Sequence, residues 1–373
     1  MKKLGFGLMR LPLKNPNDEK SIDIEKTKEM VDIFLKRGFS YFDTAWMYCG
    51  FESENAVKTV LTSRYPRGAY TLATKLHARF LSEKTDCEKI FSTQLEKTGV
   101  SYFDYYLLHD VKAEYYEIFN KFDAFNWLID KKKKGYVKEI GFSFHDKADF
   151  LDKVLTEHPE MDFVQLQVNY IDWENEVIQS KKCVDTAIKH NKKIIVMEPV
   201  KGGTLANLPM SAEKLFKHNL KDMSAPSWAI RFAAGIENVF MVLSGMSNIE
   251  QVLDNTDYMM DFKPLNNDEL KIVKEAADII NSSVAIPCTA CSYCVGQCPQ
   301  KIAIPEYFSL YNSEKREFKE KDWTPQGEYY RNLIKVSGAP DDCINCKSCE
   351  MICPQHLPVR EYLKAVADEF KEN

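Results

Sequence analysis

Between residue 4 and about residue 256 two hydrophobic rhythms alternate along the chain. Short apolar, β-branched and aromatic runs recur at GFGLMRL (5–11), SYFDTA (40–45), YTLATK (70–75), DYYLLH (104–109), KEIGFSF (138–144), FVQLQV (163–168), KIIVME (193–198) and FMVLSG (240–245). Between them lie stretches such as DIEKTKEMVDIFLKRG, whose apolar residues fall three and four apart, as on one face of a helix. Gly38 supplies the helix stop. Eight strand–helix units in about 260 residues predict an α/β fold of the (β/α)8 TIM-barrel type. The alternative, a doubly wound open sheet, usually carries a glycine-rich phosphate loop after its first strand. No such loop follows GFGLMRL.

Past residue 265 the strand rhythm stops. A helix is expected from near Asn267, ending before Cys288. Two related segments follow, CPQKIAIPEYFSLY and CPQHLPVREYLKAV, each reading as a loop that leads into a helix, with Pro305 and Pro358 near the helix starts. The charged stretch between them, YNSEKREFKEKDWTPQGEYYRNLIKV, reads as helical with a break at Pro325. The predicted organisation is a barrel over 1–265, then a linker helix and a smaller, mainly helical module over 266–373.

Composition leaves this organisation standing. A length of 373 residues suits one large and one small domain, and 45% hydrophobic with 28% charged residues is ordinary for a globular chain. A formal net charge of -5 argues against a general nucleic-acid surface. The KKKK run at 131–134 reads as the solvated end of a helix. No apolar run reaches the roughly 18 residues that span a bilayer. The opening MKKLGFGLMRLPLK lacks the apolar region and cleavage site of a signal peptide. The expected location is the cytoplasm, with neither membrane nor nucleic acid as partner.

The cysteines add chemistry. Of 11 cysteines, Cys49, Cys87 and Cys183 are scattered, and the other eight form two runs of the pattern C-x2-C-x2-C-x3-C-P. The first uses Cys288, Cys291, Cys294 and Cys298. The second uses Cys343, Cys346, Cys349 and Cys353, at a constant offset of 55 residues. Clustered thiols in a reducing compartment point to metal ligation rather than disulfides. This is the run that bacterial ferredoxins use for a [4Fe–4S] cluster, and in two-cluster ferredoxins the fourth cysteine ligates the other cluster. By that logic one cluster takes Cys288, Cys291, Cys294 and Cys353, and the other takes Cys343, Cys346, Cys349 and Cys298. Structural zinc is the alternative, although zinc sites usually pair two CxxC units across a longer gap. The module resembles the helical ferredoxin-like domains attached to multi-subunit oxidoreductases.

In a barrel the chemistry sits at the carboxyl ends of the strands. Those ends carry Asp43, with Tyr48 in the following loop, then Lys75, His109, Ser143 with His145, Gln165 and Gln167 before Asn169, and the runs EPVKGG and SGMSNIEQVLDN. Taken singly, DTA is a strand-end turn and a histidine on a strand is a core residue. Taken in order, FDTAWMY with the following ESE, LATK, YYLLH, GFS, QVNY, EPVKGG, SAPSWAIRF and LSGMSNIEQVLDN resemble the aldo-keto reductase family over about residues 4–256.

That resemblance implies reduction of an aldehyde or ketone, or oxidation of the alcohol, with NADP or NAD. Tyr48 matches the family's proton donor. Free tyrosine has a pKa near 10, and a neighbouring ammonium lowers it. Lys75 matches that ammonium, Asp43 the aspartate that holds it, and His109 the histidine that orients the carbonyl oxygen. Ser143 and Gln167 match the carboxamide contacts. Gly202 and Gly203, in EPVKGG, are expected on the cofactor side. Gly245, Met246 and Ser247 match the adenosine phosphate end, where a helix start suits an anion. Gln251 and Asn255 match positions facing the adenosine. His145 is a candidate substrate contact and Cys49 a pocket-wall residue. The sequence departs from the family at Phe144, Met197 and Gln251, where asparagine, an aromatic residue and arginine are frequent.

Hydride transfer moves two electrons and a [4Fe–4S] cluster passes one, so a direct link between the halves needs a converter such as a flavin. The expected activity is a carbonyl reductase whose clusters exchange electrons with a ferredoxin or another redox partner. The alternatives are an electron-transfer or docking protein whose barrel has little carbonyl reductase activity, and clusters that only brace the C-terminal fold.

Overall fold

The structure is a computed structural model that describes residues 2–16, 18–175, 178–220, 222–316 and 325–371. All eight expected strands are present: β1 (Leu4–Gly7), β2 (Tyr41–Asp43), β3 (Thr71–His77), β4 (Phe103–Val111), β5 (Val137–Phe144), β6 (Phe163–Gln167), β7 (Lys193–Met197) and β8 (Val239–Gly245). They are parallel and close in sequence order, with β1 paired to β8 from Leu4 opposite Val242 to Gly7 opposite Gly245. The open-sheet alternative is thereby excluded. β3 runs two residues beyond the expected end at Lys75, and β1 stops at Gly7, before Met9 and Arg10.

Period-two alternation explains the packing. Outward residues such as Phe42, Leu72, Leu76, Tyr106, Leu108, Ile140, Phe142, Val164, Leu166, Ile194, Val196 and Val242 join the core beneath the helices. Inward residues Tyr41, Ala73, Leu107, Phe163, Ile195, Met241 and Leu243 fill the barrel. Gly141 must be glycine, because a Cβ there would collide with the carbonyl oxygen of Phe163 on the neighbouring strand.

The first helix, Ile24–Lys36, follows the expected rules. The Asp23 side chain accepts from the Lys26 amide, and Gly38 is left-handed at φ +78°. The lysine run departs from expectation. It does close the helix Ala124–Lys133, but Lys131 is buried, donating to Glu88 Oε1 at 2.7 Å with its ammonium over the rings of Phe91, Trp127 and Tyr136. Its stem lies along apolar surface, as long charged side chains can.

The chain forms two compact units. One contains Met1–Asn175, Gln179–Val200 and Pro226–Leu270, and the other contains Lys201–Ala225 and Lys271–Asn373. The stretch Lys201–Ala225, inserted after β7, therefore belongs with the cysteine runs rather than with the strands around it. In the second unit the expected helices appear as Asn267–Ser283, which crosses the division, Ile304–Arg316, Pro325–Leu333 and Val359–Phe370. The break expected near Pro325 borders residues 317–324, which lie outside the described residues, and a helix starts at Pro325. A separate apolar core, including Ile286, Ile302, Tyr307, Phe308, Leu363 and Val366, holds the last three of these helices together. No described helix is long and apolar enough to cross a membrane.

Candidate active site and cysteine loops

The strand alternation that fills the barrel also aims its polar side chains. On β2 the inward positions are Tyr41 and Asp43, on β3 Ala73, Lys75 and His77, and on β4 Tyr105, Leu107 and His109. Apolar residues occupy the lower layers, and the polar residue comes last, at the carboxyl end. Register then makes neighbours of them, with Asp43 opposite Ala73 and His77 opposite His109.

Lys75 is fully buried and donates to Asp43 Oδ1 and, at 2.8 Å, to the Thr44 carbonyl. Burial pushes the Asp43 carboxyl up and the Lys75 ammonium down, and each charge holds the other back. The Lys75 ammonium lies 4.9 Å from the centre of the half-buried Tyr48 ring. Tyr48 meets His109 edge to face, with ring centroids 5.8 Å apart. Burial, then the neighbouring His77 and Lys75, hold His109 well below the usual histidine range, so it is neutral near pH 7. The four residues singled out in the sequence therefore stand together. The arrangement offers a phenol beside a buried ammonium, next to a neutral imidazole, which is a donor set suited to protonating a carbonyl oxygen.

Two supporting layers were not foreseen. Behind Lys75, the buried Glu54 accepts from Thr74 (2.7 Å) and Gln94 (2.8 Å), and Gln94 also donates to the Lys75 carbonyl (3.1 Å). Beside His109, the buried His77 ring lies 5.3 Å away and faces Asp110 at 3.6 Å. Asp110 is left-handed at φ +61°, and its amide donates to Ser143 Oγ at 2.8 Å. Continuing the alternation of β3 by two residues would have found His77. Glu54 lies in the ESE stretch, but nothing local in the sequence marks its role, and nothing marks Gln94.

The remaining candidates are spread more widely. Gln167 is buried and donates to Asp172, which also takes a bond from Asn169 at 2.8 Å. Met246 is buried in the outer core. The Ser247 amide donates to Gln251 Oε1 at 2.7 Å, and the Gln251 amide to Asn248, which caps the helix Ile249–Met260. Asn255 is buried, donating to Ser244 and accepting from Tyr258. Gly245 lies against the Arg10 side chain. His145 is half-buried, its amide on the Val111 carbonyl. Burial pushes the Cys49 thiol up to about 11, which disfavours a reactive thiolate. Gly202 and Gly203, at φ +61° and +101°, belong to the second compact unit, where a Cβ on Gly202 would collide with the Thr289 carbonyl oxygen.

In that unit the two cysteine runs repeat in backbone as well as in sequence. Left-handed residues stand at Ala290, Ser292 and Lys301 in the first run, and at Asn345, Lys347 and His356 in the second, the same offset of 55 each time. None is glycine, and each costs about 1–2 kcal/mol. Such turns aim successive amides inward, as nests around Fe–S sites do, and the Ala290 amide already donates to Cys288 Sγ at 3.4 Å.

The thiols also group across the runs. Cys298 lines one hollow with Cys343, Cys346 and Cys349. Burial pushes the Cys294 thiol up, and the nearby thiols of Cys291, Cys288 and Cys353 add to the shift ahead of Cys349. Four thiols around one hollow are a donor set that suits an iron–sulfur cluster.

The aldo/keto reductase family profile matches residues 3–278. The chain belongs to the aldo/keto reductase family. It is an oxidoreductase whose barrel is followed by a 4Fe-4S dicluster domain, matched over residues 287–357. Among solved structures, a holo-form aldo-keto reductase from Bacillus halodurans is 22% identical, with a TM-score of 0.60 over 74% of this chain and 91% of its own. An aldo-keto reductase from Klebsiella pneumoniae in complex with NADPH is 15% identical, with a TM-score of 0.56 over 73% and 90%. One from Brucella melitensis is 22% identical, with a TM-score of 0.56 over 73% and 92%. At such identities the likeness is one of fold. No curated protein matches this aldo/keto reductase.

Proposed function

We propose that this aldo/keto reductase reduces a small aldehyde or ketone with a nicotinamide dinucleotide, and that its C-terminal domain holds two [4Fe–4S] clusters exchanging electrons with a redox partner. The buried Lys75–Asp43 pair beneath the Tyr48 ring carries the first half of this reading. A bound nicotinamide supplies the hydride. Tyr48 gives its proton to the carbonyl oxygen, and Lys75 stabilises the phenolate left behind. Asp43 keeps Lys75 in place, and neutral His109 orients the oxygen with a hydrogen bond. Ser143 and Gln167 take the carboxamide, with Gly245, Met246, Ser247, Gln251 and Asn255 toward the adenosine. The Klebsiella relative's NADPH complex supports NADP as the dinucleotide.

For the clusters we propose the crossed ligand sets. Cys288, Cys291, Cys294 and Cys353 hold one, and Cys298, Cys343, Cys346 and Cys349 hold the other. The hollow shared by Cys298 and the second run carries this allocation. When bound, the clusters supply one-electron transfer.

Tyr48→Phe should lower kcat/KM for an aldehyde by about 10²–10⁴-fold, the usual contribution of a general acid. Turnover that survives the substitution removes Tyr48 from the reading, and no turnover in the parent protein favours a docking role for the barrel. Anaerobic addition of NADPH without substrate tests the coupling. Bleaching of the iron–sulfur absorbance means that electrons cross and that a converter such as a flavin is present. Unchanged absorbance during aldehyde reduction means that the clusters serve another donor.

A further inference from the structure

We infer that Lys201 is a fixed counter-charge for the cluster held by Cys288, Cys291, Cys294 and Cys353, and sets its reduction potential above the value that the cysteines alone would give. This rests on the two-cluster reading and deepens it.

Lys201 comes from outside both cysteine runs. It opens the stretch Lys201–Ala225, which is built into the same compact unit. Its side chain is buried at 2% exposure, where a lysine is rarely found without a partner that needs its charge. Its ammonium donates to Gln355 Oε1 at 2.9 Å. Gln355 is itself 4% exposed and stands two residues after Cys353. The next residue, Gly202, packs on the carbonyl of buried Thr289, which directly follows Cys288. Two adjacent residues thus touch both cysteine runs, each beside a member of the same ligand set.

The other set is served differently. Gln300, the equivalent of Gln355, abuts Gly338 through its carbonyl oxygen. Lys347 and Arg360 line the hollow of that set. Lys347 is exposed, and Arg360 is paired with Glu350 at 3.1 Å. Exposed charges are screened by solvent and salt, and buried ones much less. Lys201, supplied from outside the repeat, is therefore less screened by solvent than the exposed Lys347.

The sign follows from charge. Four thiolates make the cluster anionic, and reduction adds one more negative charge. A buried ammonium stabilises the reduced form more than the oxidised form, which raises the potential.

The test is an EPR-monitored redox titration of the anaerobically purified, cluster-loaded full chain. Lys201→Met should lower one of the two midpoint potentials. At the parent midpoint, the reduced-to-oxidised ratio of that cluster should fall about tenfold, roughly 59 mV for a one-electron couple. Lys201→Arg should restore it. The couple that does not move should be the one whose signal changes in Cys346→Ser. If Lys201→Met does not assemble, Gln355→Glu, which offsets the ammonium in place, should lower the same potential. Potentials unmoved in loaded variants, or both moved equally, overturn the inference alone. A parent protein without the iron and sulfide of two cubanes overturns the two-cluster reading, and this inference with it.

Discussion

Burial fixes the protonation of His109, and this has a kinetic consequence. The imidazole sits beside His77 and the Lys75 ammonium, and its pKa is pushed well below the ordinary 6.5. It therefore stays neutral through the whole physiological range. We expect kcat/KM for carbonyl reduction to show no acid limb from His109 between about pH 5.5 and 7. A limb there that disappears in His109→Gln would show the imidazole titrating. Asp110, next in the chain, shifts through its surroundings in a different way. Burial alone would raise its pKa, but the His77 hydrogen bond and the charges of His145 and Lys112 hold it below the carboxylate range. A depressed folded pKa stabilises the fold above the unfolded value and is lost as pH falls through the folded one. Asp110→Asn should therefore flatten the fall in stability below about pH 4, measured as urea midpoints across pH. An unchanged slope would mean that Asp110 is no better solvated by its partners than by water.

A strand of period two carries a core instruction on one face and a chemical one at its end, which is why so much of the barrel was legible in the sequence. Tyr41–Asp43 and Tyr105–Leu107–His109 are each apolar at the bottom and polar at the top. Eight such segments gave the barrel, and their last inward residues gave Asp43, Lys75 and His109. His77 escaped because β3 was ended two residues early. Glu54 and Gln94 escaped because they lie on helices, and their value is a contact made only in the folded state. The placement of Lys201–Ala225 escaped for the same reason, since its fit to Thr289 and Gln355 is tertiary. Strand closure also makes single positions intolerant. Gly141→Ala would press a methyl against the Phe163 carbonyl, which is backbone in a closed sheet and cannot turn aside. We expect a loss of about 1–3 kcal/mol, the usual cost of overpacking, as a lower urea midpoint with an unchanged m-value. A neutral result would mean that β5 and β6 can part without opening the barrel.

The two units of the whole molecule differ in what holds them together. The barrel unit has an extensive apolar core on both faces of its sheet. The second unit has a smaller core, and its cysteines form part of the packing. Cys349 is within that core, and Cys288, Cys294, Cys298, Cys343 and Cys353 lie against it. Empty, those thiols are a burden. Burial pushes Cys288 and Cys349 up to about 11, so they would sit protonated with few partners, while six left-handed residues hold the loops in costly turns. On the proposed ligation, iron would reverse each term, taking the thiolates and giving the loop amides an anion to face. Metal binding is then folding free energy for this unit. Hydrogen exchange before and after anaerobic removal of iron measures it. Amides in the helices Ile304–Arg316 and Val359–Phe370, which pack on each other through Phe308 and Tyr362, should lose protection when iron leaves. Unchanged protection would mean that the apolar core suffices without iron, and that the strained loops are kept for electron transfer alone.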